Sequence, residues 1–242
     1  MQGGIVEEKI TFVNDDRLQL SGVLAYPDST RPEYALLLCS PHPHFAGNMD
    51  NNVICTIARE LAERAVTLRF DYRGVGDSHI NLQNGLSVFD YWSDMEQTKD
   101  HTDAIRDVSA AAHALASATK VMDIPFSVIG YSFGAATGLL YGYRQENVCS
   151  MVAIAPPLGK VSFEFLSDRS KPSLFLIGTG DFLYSPDKTE QLRKSLTSNA
   201  IVETLESADH FFRGEENVVA QKVDDFIRNN VTCESRRVPD AI

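Results

Sequence analysis

Between positions 126 and 144, a short apolar run passes through Gly130-Tyr131-Ser132-Phe133-Gly134 directly into the small residues Ala135, Ala136 and Gly138 and a helical pattern. No other stretch restricts the fold as strongly. A G-x-S-x-G run between a strand and a helix is a tight turn that holds a serine hydroxyl clear of the backbone. Glycines on either side of Ser132 remove side chains that would collide across such a turn, and the small residues after it let the helix lie close to a sheet. The following helix start presents unpaired N–H groups and the positive end of its dipole, which suits a developing oxyanion. The same letters also occur in small-residue turns without chemistry. The strand before and the helix after weigh against that reading here.

The rest of the chain fits the kind of sheet this turn requires. Residues 9–13 and 18–26 read as strands on either side of Asn14-Asp15-Asp16, with alternation at Leu18, Leu20 and Leu24 that suggests one buried face. Residues 35–39, 66–70, 126–129, 151–155 and 174–177 are instead short, continuously apolar runs, as expected for parallel strands covered on both faces. Helical patterns over 53–64, 103–119, 133–144, 188–196 and 218–231 fall among and after them. This alternation predicts an α/β fold with right-handed crossovers and a mostly parallel sheet. No linker or repeat divides the 242 residues, so a single domain spanning 1–242 is expected.

Charge and cysteine usage exclude several classes. With 33 acidic against 22 basic residues the formal charge is −11, unsuited to nucleic acid or an anionic membrane surface. It constrains a small substrate little, because a local field can differ from the average. The start of the chain lacks a secretory pattern, and no stretch approaches the roughly 18 apolar residues of a membrane span. Cys39, Cys55, Cys149 and Cys233 show no CxxC spacing and read as free thiols of a cytoplasmic protein.

A serine needs a base, and six histidines compete for that role. His113 lies in an alanine-rich helix, His101 at a charged helix start and His79 in a polar loop. His210 follows the strand pattern at 201–205, within Ser207-Ala208-Asp209-His210-Phe211-Phe212, where a loop can reach the strand ends. For the acid, Asp181 ends the run from Leu174 to Gly180, while Asp187 suits a helix cap and Asp209 adjoins the histidine too closely. The chain order is then Ser132, Asp181, His210.

Together with Ser40-Pro41-His42-Pro43-His44-Phe45-Ala46-Gly47-Asn48-Met49-Asp50-Asn51 and the run Arg69 to Ser78, these residues resemble the α/β-hydrolase superfamily. They are most similar to its small, compact esterase-like hydrolases with an HPHP–GG–MDN type loop. The likeness covers roughly residues 20–227 and implies an eight-stranded sheet flanked by helices, with the second strand antiparallel and no large cap domain. It implies a triad at Ser132, Asp181 and His210. It also implies an oxyanion hole from the backbone N–H of Phe133 and that of His44, or of Phe45 if the loop shifts by one. Pro43 has no N–H to give. His42 and His44 also have the spacing of metal ligands, but a zinc site needs further ligands that the sequence does not offer. Arg73-Gly74 is expected to shape a turn rather than to act chemically.

One stretch departs from the compact pattern. Residues 78–100, with Phe89, Tyr91, Trp92 and Met95, are either an amphipathic helix packed on the body or a lid-like insert. As a lid it would wall an acyl pocket with Phe89 and Trp92, beside Tyr131. The predicted activity is hydrolysis of a carboxylic ester with a small or medium acyl group through an acyl-enzyme, requiring neither metal nor organic cofactor. A thioesterase, a peptidase, an acyltransferase or synthase, or a non-catalytic binding protein are the alternatives on this fold. The partner expected is a small-molecule acyl substrate, with no nucleic acid or membrane. A homo-oligomer is left open.

Overall fold

The computed structural model describes residues 4–83, 85–122, 124–167 and 171–230. Eight strands, β1 (Ile5–Val13), β2 (Gln19–Pro27), β3 (Tyr34–Cys39), β4 (Ala65–Phe70), β5 (Phe126–Tyr131), β6 (Val148–Ile154), β7 (Ser173–Gly178) and β8 (Ala200–Leu205), form one sheet in the order β1-β2-β4-β3-β5-β6-β7-β8. β2 pairs antiparallel with both neighbours, and every other pairing from β4 to β8 is parallel. The continuously apolar runs are the central strands, and β3 to β7 are buried along their whole length.

Among the described residues six α-helices flank the sheet: α1 (Asn52–Leu61), α2 (Val88–Thr98), α3 (Thr102–Thr119), α4 (Phe133–Gly142), α5 (Pro186–Ser195) and α6 (Glu216–Asn230). Successive strand residues divide between two cores, because side chains alternate across a sheet. Leu36, Leu38, Ile129 and Val152 pack with Val53, Ile57, Val219 and Val223 of α1 and α6. Leu37, Leu68, Val128 and Met151 pack on the other face with α3 and α4, through Val108, Ala111, Leu115 and Leu139.

This topology positions the site. The chain runs from β3 through α1 to β4 on one side, then returns to place β5 on the other side of β3. The loops leaving β3 and β5 therefore diverge, and such a switch point opens a crevice at the carboxyl ends of the strands. Among the described residues, the segment between β6 and β7 holds only a 3-10 turn at Glu164–Leu166, and no cap domain is present. The stretch 78–100 forms α2, capped by Ser87 and Asp90, with Trp92 and Met95 turned into the body.

One cysteine departs from expectation. Cys39 and Cys55 are free thiols, whereas Cys149 is disulfide-bonded. Pairing requires two Cα atoms within about 7 Å of each other, which spacing along the chain does not reveal. Cys233 lies outside the described residues.

Candidate active site

Ser132 stands between β5 and α4 with φ +54° and ψ −112°, a backbone state costly for any residue with a side chain. The surroundings hold it there. Its N–H donates to Ile154 O at 2.8 Å, and its carbonyl accepts from Ala135 N at 3.0 Å. A Cβ at Gly134 would fall on the carbonyl of Cys39, so α4 can start this close to β3 only with glycine at that position.

Asp181 and His210 arrive from strands farther out in the sheet. Asp181 follows β7 and His210 follows β8; a Cβ at Gly178 would meet the Ala208 carbonyl, so this glycine lets the two loops touch. Asp181 Oδ2 lies 2.7 Å from His210 Nδ1, and His210 Nε2 lies 3.1 Å from Ser132 Oγ. With the carboxylate accepting at Nδ1, the imidazole carries its proton there and leaves Nε2 to accept the serine O–H. The second carboxylate oxygen accepts Leu183 N–H at 2.7 Å, and Tyr131 O–H donates to the His210 carbonyl at 2.8 Å. Asp181 and His210 are each only 7% exposed, so water competes little for these bonds. The structure brings together three residues that the sequence separates by up to 78 positions.

The loop after β3 behaves differently from the expectation. Pro43–Phe45 forms a 3-10 turn with His42 as its N-cap. His44 N–H donates to His42 Nδ1 at 3.0 Å, and Phe45 N–H donates to His42 O at 3.0 Å. Both amides expected as oxyanion donors therefore have partners inside the loop, because a turn this tight directs its N–H groups back to its own first residue. Phe133 is the first residue of α4, where a helix leaves its amides unpaired. His42 is neutral: burial pushes its pKa down to about 4 although Glu96 is near. Its use of Nδ1 to hold the turn accounts for a histidine that spacing alone made a possible metal ligand. Among the described residues no group of three or more His, Cys, Asp or Glu is placed to hold a metal ion.

The sequence model of the dienelactone hydrolase family matches residues 72–228, well over half of the chain and all three of these residues. The chain belongs to the dienelactone hydrolase family. It is 26% identical over 225 residues to an uncharacterised protein of Rickettsia prowazekii, covering 89% of this chain and 87% of that one. Among solved structures it is similar to a putative α/β hydrolase from Agrobacterium tumefaciens (22% identity, TM-score 0.75, covering 92% of this chain and 95% of that one). It is also similar to an α/β serine hydrolase homologue from Coxiella burnetii (24% identity, TM-score 0.74, 92% and 96%).

In this dienelactone hydrolase family member a cavity of about 240 Å³ opens onto Ser132 and His210, with Tyr131 and Phe133 in its wall. Phe45, Phe182 and Phe211 line it and are also exposed, forming an aromatic rim. Tyr131 lines this cavity, whereas Phe89 and Trp92 of the 78–100 stretch do not. Trp92 is buried beneath the loop after β3: Nε1 donates to Arg73 O at 3.2 Å, and its ring meets those of His42, Tyr72 and Phe133 edge-on. Phe89 lies against His44, ring centroids 4.4 Å apart, in a separate hollow beside Gly74 and Val88. Helical periodicity places both on α2 without showing which side of the β3 loop they meet. Glu96 and Lys99, from the end of the same stretch, do line the Ser132 cavity, as do His101 and Lys160. Nothing in the local sequence marks these residues, because charged side chains at helix ends and in loops are ordinarily solvated. Phe89→Ala is expected to leave ester chain-length preference unchanged, measured as relative kcat/KM over a graded acyl series. A shifted preference would return Phe89 to the acyl pocket.

Proposed function

We propose that this protein is a serine hydrolase that cleaves the carboxylic ester of a small or medium acyl substrate through a covalent acyl-enzyme. The observation that carries this reading is the continuous relay from Asp181 through His210 to Ser132, with the serine facing an apolar-rimmed cavity. Ser132 Oγ attacks the ester carbonyl while Nε2 of His210 takes its proton. The tetrahedral intermediate expels the alcohol, which receives that proton. A water molecule, deprotonated by the same nitrogen, then attacks the acyl-enzyme, and its collapse returns the proton to Ser132 and frees the acid. Asp181 holds the imidazole in the useful tautomer and stabilises its cationic form.

The N–H of Phe133, at the positive end of α4, is the oxyanion donor that the geometry supports directly. A second donor from the loop after β3 requires His44 N–H or Phe45 N–H to exchange its internal partner for the oxyanion. The family membership and the serine hydrolase fold of the neighbours agree with this chemistry. A fluorophosphonate probe tests it: wild-type protein is expected to be labelled at Ser132, and Ser132→Ala not at all. Folded wild-type protein that resists labelling would sink the proposal.

A further inference from the structure

The cavity at Ser132 departs in charge from the rest of the chain. Against a formal charge of −11 overall, its charged lining residues other than histidines are Lys99, Lys160 and Glu96, an excess of one positive charge. Glu96 sits on α2, Lys99 caps that helix, and Lys160 comes from the loop after β6. Glu96 Oε1 is 2.5 Å from Lys160 Nζ and 3.0 Å from Lys99 Nζ, and Oε2 is 3.7 Å from His42 Nε2.

His42 adds a donor to this group. Its Nδ1 accepts the His44 amide, so the neutral ring carries its proton on Nε2. That nitrogen is buried and has no hydrogen-bond partner, in a residue only 5% exposed. A buried donor without an acceptor is costly, and buried polar groups without partners are few in folded proteins. Glu96 therefore engages two lysines and stops short of the third donor. After burial, Lys99 is the next cause holding the His101 pKa down.

We propose that this cluster recognises an anionic oxygen group on the substrate, held by Lys99, Lys160 and the Nε2–H of His42 while the ester carbonyl faces Ser132. The hydrocarbon part of such a substrate lies against the rim of Phe45, Phe182 and Phe211. Glu96 engages the lysines as an anionic ligand does, and a charged substrate shares them with it. This inference rests on the serine hydrolase reading and narrows its substrate class.

Two ester pairs test it: 4-nitrophenyl hydrogen glutarate against 4-nitrophenyl pentanoate, with the charge on the acyl side, and the butyrate esters of 4-hydroxybenzoate and of phenol, with the charge on the leaving group. The readout is the ratio of kcat/KM for the charged and neutral member, compared among wild type, Lys160→Met and Glu96→Gln, which cancels intrinsic reactivity. In at least one pair, Lys160→Met lowers this ratio by about threefold to tenfold and Glu96→Gln raises it about threefold. Both changes shrink as salt rises toward about 1 M. Ratios that do not move in either pair, or that move the same way in both variants, overturn the inference. Turnover of the neutral esters by wild type separates that outcome from failure of the hydrolase reading. Glutarate supplies a readout independent of turnover: it raises the Tm of wild type more than that of Lys160→Met. Equal shifts, or none in wild type, also overturn it.

Discussion

Replacing Ser132 with alanine is expected to lower ester turnover by about 10⁴-fold or more while leaving the fold and Tm essentially unchanged. The size follows from how the three residues act. In the proposed mechanism Ser132 Oγ supplies the bond-forming atom, and without it His210 and Asp181 have nothing to activate, so loss of one member removes most of what the three achieve together. The fold survives because alanine keeps the Cβ, and the backbone at φ +54° is held by bonds that do not involve the hydroxyl. His210→Ala should fall as far, since a serine hydroxyl without a base is a weak nucleophile. Initial rates on a short-chain 4-nitrophenyl ester, with Tm measured in parallel, check both. Ser132→Ala protein that matched wild type in turnover would remove the serine from the chemistry altogether.

The largest expected effect on stability lies away from the site, at Asp107. Its carboxylate is fully buried and accepts from Asn14 Nδ2 at 2.7 Å, from Arg73 N at 3.0 Å and from Arg73 Nε and Nη2 at 3.0 and 2.8 Å. Burial alone would lower the Arg73 pKa, and the bonds from Asp107 more than reverse it. Arg73 also reaches Asp16 and Asp103, each at 2.9 Å, and its carbonyl accepts the Trp92 indole. The cluster thus fastens α3, the β1–β2 turn and α2 to the loop after β4. Asp107→Ala leaves a buried guanidinium short of its main acceptor and is expected to cost about 3–5 kcal/mol. For a chain of this size that lowers Tm by roughly 10 °C. A loss below about 0.5 kcal/mol in urea unfolding would show that Asp16 and Asp103 carry the arginine alone. The effect on ester turnover should be smaller than that of Ser132→Ala, because neither Arg73 nor Asp107 lines the cavity.

Arg73 also shows where sequence reading stops. A turn role was readable from Arg73-Gly74, but its counter-ion stands 34 positions away on α3, with nothing in the local pattern to single out Asp107. The central strands were readable because β3 to β7 are buried on both faces, so their composition reports their place directly. The same holds for Ser132, since a strand, a glycine-flanked serine and a helix form one contiguous signal. The meeting of Asp181 and His210 with Ser132 was readable because each ends or follows a strand pattern at the carboxyl edge of the sheet, where loops converge. Phe89 and Trp92 were not, since helical periodicity gives a buried side without saying what it is buried against.

By itself, then, the sequence determined the α/β sheet, its buried parallel strands, and the places of Ser132, Asp181 and His210 at the carboxyl ends of strands. These are local signals, each written within a few consecutive residues. Tertiary structure alone decided which donors the β3 loop keeps for itself, how Cys149 is bonded, and which face of α2 meets the cavity. It also set Glu96, Lys99 and Lys160 around the unpaired N–H of His42. Those depend on the approach of segments far apart in the chain, and short-range hydrogen bonds and charge pairs are resolved only at distances that packing sets.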